Sequence, residues 1–152
     1  MAAVDHSKRG GARNPYEAYV YVSAVEGLRP GFYHYAGAEH SLELVSGTVM
    51  EEPETMLAGQ DWVHTMPAII LLVAHFERTM WKYQDANSYR VILIEAGHIG
   101  QNIMLAATAH GLSACPTAAL HHETICGALG ISDCLHVPIY ALTLSLSEEA
   151  SA

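Results

Sequence analysis

A lysine directly followed by a tyrosine, Lys82-Tyr83, closes the segment Arg78-Thr79-Met80-Trp81-Lys82-Tyr83, just past a dense apolar run. An ammonium and a phenol side by side can both move protons when burial or neighbouring charge brings their pKa values toward neutrality. Positions at the edge of a core strand often carry function. On spacing alone, a Lys laying its stem along apolar surface beside a half-buried Tyr is the commoner arrangement. A second feature is Gly10-Gly11-Ala12-Arg13-Asn14-Pro15. Two permissive glycines and a rigid proline ahead of a strand either let backbone N–H groups approach a ligand or form a flexible lead-in and nothing more. Ten histidines raise the question of a metal. No H-E-x-x-H or similar paired spacing occurs, and the adjacent His121 and His122 need not face one site, so no metal site is expected. There is no G-x-G-x-x-G after a strand, no G-x-x-x-x-G-K-[ST] and no G-x-S-x-G elbow, which argues against Rossmann, P-loop and serine-hydrolase sites.

The elements that must hold these residues read as one α+β domain. Aromatic and β-branched residues from Tyr16 to Val25 favour a central strand. The segments GFYHYAG and HSLELVSG read as a hairpin turning at Gly37. Residues 51–61 suit one or two helical turns, and Pro67 to Phe76 is an apolar run of strand length, suited to a sheet covered on both faces. Ser88 to His110 has no internal Pro, stops at Gly111 and is apolar over most of its circumference, which predicts a long helix buried nearly all round. Glu95, His98 and Asn102 share one stripe on it and need partners inside the fold or across a subunit boundary. Leu112 to Leu120 reads as loop or strand, His122 to Leu129 as a short helix and Val137 to Leu146 as a closing strand. The expected organisation is a lead-in at 1–14, one domain at 15–147 and a tail at 148–152.

Composition narrows the partners. In 152 residues, 51% are hydrophobic and 15% charged, so part of the apolar surface is expected to lie in a subunit interface. A formal charge of -9 with few, scattered basic residues disfavours nucleic acid and anionic membranes. The uninterrupted apolar runs, Ala68 to Ala74 and Val91 to Ile94, are too short to cross a bilayer. Cys115, Cys126 and Cys134 are odd in number and lack C-x-x-C spacing, which fits a reducing cytoplasm better than a disulfide framework. The N-terminus has no apolar stretch of the kind a secretory signal requires.

Five blocks in this order resemble the SagB/ThcOx-type dehydrogenases, the azoline oxidases of the FMN-dependent nitroreductase superfamily. They are Gly10 to Tyr19, Gly27-Leu28-Arg29-Pro30-Gly31-Phe32-Tyr33-His34-Tyr35, Arg78 to Tyr83, Tyr89-Arg90 with Gly97-His98 and Gln101-Asn102, and Gly111 to Pro116. The resemblance covers nearly the whole chain. It implies a nitroreductase-like fold, a mainly antiparallel central sheet flanked by helices, with FMN held at a homodimer interface. It implies that Lys82 and Tyr83 are a catalytic pair assisting proton removal from an azoline while hydride passes to the flavin. It further implies that Gly10 and Gly11 line the flavin, and that the backbone of Pro116, Thr117, Ala118 and Ala119 faces the isoalloxazine. Arg9 stands where the family has Ser, and its planar, permanently charged guanidinium suits a phosphate. The family's Arg-rich segment that grips the FMN phosphate has no counterpart in these residues, and neither has the Arg that follows the Lys-Tyr pair. The resemblance is therefore to a short form. The substrate it implies is a peptide-derived azoline or another small organic molecule. The other expectation for such a short form is a truncated, non-catalytic subunit serving as structural partner of a full-length flavin oxidase.

Overall fold

A computed structural model describes residues 13–83, 85–132 and 134–147. Six strands form one sheet in the order β3-β2-β1-β4-β6-β5, and every neighbouring pair is antiparallel. In chain order they are β1 (Tyr16–Val22), β2 (Gly31–Ala36), β3 (Ser41–Ser46), β4 (Ala68–His75), β5 (Leu112–Thr117) and β6 (His136–Leu146). The predicted hairpin is β2–β3, and the predicted central strand is β1, paired on both sides. The 51–61 region forms one short 3-10 turn, Pro53–Leu57, and a second, Asp61–Thr65, begins at its last residue. Helix α1 (Phe76–Met80) follows β4 directly, α2 (Asn87–Ala109) is the long helix, and α3 (His122–Leu129) precedes β6. The expected α+β, nitroreductase-like architecture is the observed one.

Alternation along the strands divides the core in two. Tyr21, Phe32, Ile69, Leu71, Val73 and Ala141 face one side, where Met56, Leu57 and Val63 of the 3-10 turns and Ile125 and Leu129 of α3 cover them. Tyr16, Leu72 and Ala74 face the other, against Ile92 and Ala96 of α2. β4 contributes to both cores and is buried on both faces, which explains its unbroken apolar run.

Helix α2 starts where Asp85 Oδ1 accepts the Asn87 N–H at 2.8 Å. It stops where Gly111 takes a φ of +70°, a left-handed value suited to glycine. Gly100 lets the helix lie flat on the sheet, because a Cβ there would run into the Tyr140 ring. Two expectations about this helix need correction. It is not buried all round: Tyr89, Leu93, Ile94 and Leu105 are exposed, since within one chain the sheet covers a single side of it. Of the stripe Glu95, His98 and Asn102, only Glu95 is buried. By length and composition alone the 23 residues of α2 could cross a membrane, although the uninterrupted apolar run within it, Val91 to Ile94, is short. Only 28% of its most apolar stretch is buried inside the fold, so the apolarity exceeds what packing on the sheet requires.

Candidate functional site

Lys82 and Tyr83 lie in the turn that ends α1. Their backbone N–H groups both donate to the Thr79 carbonyl at 3.0 Å, so the pair caps a short helix and is not part of a free loop. Lys82 is exposed and Tyr83 half-buried, with the ammonium 5.5 Å from the centre of the Tyr83 ring. Trp81, 71% exposed, carries the Arg13 guanidinium over its ring at 4.1 Å. Phe76 stacks on Tyr89, tying α1 to the first turn of α2.

Arg78 explains why two distant sequence blocks go together. Its Nη1 donates to Glu17 at 2.7 Å and to the Asn14 carbonyl at 3.0 Å, locking the Arg13-Asn14-Pro15 entry of β1 onto the segment that carries Lys82. Glu17 also meets His34 at 3.0 Å. Burial pushes the Glu17 carboxyl up, but the His34 and Arg78 hydrogen bonds and the Arg78 charge outweigh it and hold the group below its ordinary value. Tyr19 beside it is raised, chiefly by burial and then by Glu17. On the other face the Tyr16 hydroxyl donates to the Ile92 carbonyl at 2.6 Å, and burial followed by the Glu95 charge holds its pKa well above the usual phenol range. Around this junction Arg13 Nε, Asn14 Oδ1 and Thr79 Oγ1 are buried without a hydrogen-bond partner. Buried polar atoms in a native fold are nearly always satisfied, so such a group marks a place where a ligand or water completes the bonding.

Pro116 and Thr117 end β5, and Ala118 and Ala119 are exposed just beyond it. The Thr117 hydroxyl accepts from Gln60 at 3.2 Å and from the Ala119 N–H at 3.1 Å, so that particular N–H is already engaged. Ala118 shares a cavity of about 180 Å³ with Leu93, Ala96 and Gly97 of α2 and with Ile139 and Tyr140 of β6. This is smaller than the roughly 300–1,000 Å³ of ordinary small-molecule sites, so one chain supplies a wall of such a site and not an enclosure. A larger concavity of about 520 Å³, bordered by Thr55, Gly59 and His121, includes none of the residues expected to form the catalytic pair or to line the flavin. The two candidate regions stand apart along the sheet, about five strand residues or roughly 17 Å from one another. Thr117 pairs with Ala141, and the strand β6 then runs back through Tyr140 to His136, beside His75 where α1 begins. Arg9, Gly10 and Gly11 lie outside the described residues.

Sequence spacing missed one constellation. The strand register sets His75 opposite His136, and Glu77 two residues on reaches both. An H-x-E pair was the only local signal, and its third member is 59 residues beyond Glu77.

Comparison with known proteins fits this geometry. The nitroreductase family model matches residues 2–144. A protein of Methanocaldococcus jannaschii described as a nitroreductase is 32% identical over 124 residues, covering 81% of this chain and 62% of its own length. The trifolitoxin-processing protein TfxB of Rhizobium leguminosarum bv. trifolii is 34% identical over 116 residues, covering 68% of this chain and 29% of its own. The chain thus spans less than two thirds of either relative. Among solved structures, one from Anabaena variabilis described as a nitroreductase superposes with a TM-score of 0.83 at 26% identity, over 92% of this chain and 29% of that one. This chain belongs to the nitroreductase family, whose members are generally FMN-dependent oxidoreductases.

Proposed function

We propose that this chain is an FMN-dependent oxidoreductase of the SagB-type, azoline-oxidase branch, acting in the cytoplasm on a peptide-derived azoline or another small organic substrate. The observation that carries the reading is the Arg78 junction, which bonds the Asn14 to Glu17 block to the Trp81-Lys82-Tyr83 block. The 34% identity to a trifolitoxin-processing protein supports a peptide-derived substrate. The residues fit a flavin in two respects. Arg13 Nε, Asn14 Oδ1 and Thr79 Oγ1 offer unused polar atoms near the junction, and Leu93, Gly97 and Ala118 offer an apolar wall at the end of β5. The exposed outer side of α2 is the surface on which a second copy would complete the enclosure, as a homodimer.

FMN, when bound, supplies the acceptor for the hydride that leaves the substrate carbon. Lys82 and Tyr83 hold and move the accompanying proton, an acid–base contribution of about 10²–10⁴ in rate. Trp81, with Arg13 on one face, offers a flat surface for orienting the substrate. Arg9, Gly10 and Gly11 are assigned to the flavin and its phosphate, and Pro116 to Ala119 to the ring edge.

The test is flavin reconstitution of the full chain. The expected result is a flavin absorbance spectrum that purifies with the protein, a thermal midpoint raised by FMN, and substrate-driven flavin reduction slowed about 10²-fold or more by Lys82→Ala and Tyr83→Phe. Unchanged reduction rates would remove the pair from the mechanism. The small volume of the cavity favours one other reading, a flavin-free subunit that partners a full-length oxidase. A colourless protein that FMN neither binds nor stabilises establishes that reading instead.

A further inference from the structure

We propose that His75, Glu77 and His136 form a binding site for a divalent transition-metal ion of the zinc type, at the point where β4 gives way to α1. The three donor atoms lie within 4.8 Å of one another. His75 Nδ1 stands 3.3 Å from Glu77 Oε1, and His136 Nε2 stands 3.2 Å from the same oxygen. A tetrahedral ion bonded at 2.0–2.1 Å to imidazole nitrogen and carboxylate oxygen has ligand-to-ligand edges of about 3.3–3.4 Å, so two edges of the polyhedron are already in place. Two imidazoles and one carboxylate make a donor set suited to zinc and its first-row neighbours, and unsuited to calcium or magnesium, which take oxygen ligands.

Three further features separate this cluster from a chance meeting of polar side chains. Its members are fixed by the sheet: His75 and His136 are register partners across β4 and β6, and the Phe76 N–H donates to the Leu135 carbonyl at 3.0 Å. The two imidazole rings lie 3.8 Å apart between centroids, and a donor nitrogen on each turns toward one oxygen. The His75 side chain is only 13% exposed, so packing against the fold fixes its ring at the strand end. Arg78, the nearby cation, spends its charge on Glu17 at 2.7 Å. Glu77 is 43% exposed, so the side of the cluster toward solvent leaves room for a water or another ligand to complete the coordination. A bound ion would join the ends of β4 and β6 to the first turn of α1, the helix that ends two residues before Lys82. The inference does not rest on flavin binding.

The competing description is a metal-free clasp, in which Glu77 Oε1 accepts hydrogen bonds from both rings. The chelator-treated full chain, titrated calorimetrically with Zn²⁺, decides between them. The expected result is saturable uptake of one ion per chain, weakened at least about tenfold by Glu77→Gln and by His136→Asn and unaffected by His98→Asn, a histidine exposed on α2. Glu77 is exposed enough for the isosteric Gln variant to keep its fold, which circular dichroism verifies. On Zn²⁺ addition, long-range ¹H–¹⁵N correlation spectra should shift the imidazole nitrogens of His75 and His136 together. Absence of saturable binding, or binding that survives both cluster variants, overturns the proposal and leaves the clasp.

Discussion

The two faces of the sheet are finished to different degrees. On the face of Tyr21, Ile69 and Leu71, the chain supplies its own cover from the 3-10 turns and α3, and the side chains there are sealed from solvent. On the face of Leu72 and Ala74 it lays down α2, whose inner side is buried while its outer side keeps Leu93, Ile94 and Leu105 in contact with water. The first face behaves as the core of a self-sufficient domain. The second resembles one half of an interface, and the cavity bordered by Ala118 opens along it. If stability is concentrated on the first face and the proposed binding on the second, substitutions should separate the two.

The largest expected effect belongs to the sealed face. Leu71 is completely buried, and Leu71→Ala should cost about 3 kcal/mol through lost transfer energy plus the cavity left behind. Chemical denaturation would report it as a lower midpoint at unchanged slope. A loss below about 1 kcal/mol would mean that this face is not the stabilising core.

A smaller effect is expected at the junction between the two candidate blocks. Arg78→Ala leaves Glu17 with His34 alone and frees the Asn14 carbonyl. Because Arg78 is about one-third exposed and screened by solvent, the cost should be about 1 kcal/mol. Its pH dependence is diagnostic. The folded pKa of Glu17 lies below its unfolded value of about 4.3. Its contribution is therefore complete above the unfolded value and is lost as pH falls through the folded one. Thermal midpoints of the native chain and Arg78→Ala should differ at neutral pH and converge in acid. A gap that persists undiminished in acid would show that Arg78 acts through packing and not through Glu17.

The same division accounts for what was legible in the sequence. Strand runs such as Tyr16 to Val22 and Ala68 to His75 announce themselves because β-branched and aromatic residues crowd a pleated surface. The α2 helix was legible because it runs without proline to a glycine stop. What covers its apolar outer side was not, since hydrophobicity records that a surface is greasy and not what lies against it. Lys82 and Tyr83 stood out only through their family block; their spacing alone suits an ordinary surface turn. The bond from Arg78 to Glu17 and the approach of His136 to His75 and Glu77 depend on strand register, which no local spacing encodes.

The smallest expected effect on stability tests the unfinished face directly. Ile94 and Leu105 are 54% and 61% exposed and stand about three helical turns apart on one stripe of α2. Replacing both by Ser removes little that the single chain buries, so its unfolding free energy should change by no more than about 0.5 kcal/mol each. In the proposed homodimer the same two side chains would be desolvated against the second copy, where apolar anchors dominate binding energy. Light scattering of the native chain should then give the mass of two copies and that of the double variant the mass of one, with flavin retention falling in parallel. A variant that stays dimeric would place the subunit contact elsewhere. A variant that unfolds would show that the outer side of α2 is already buried by the chain itself, and the contrast between the two faces would disappear.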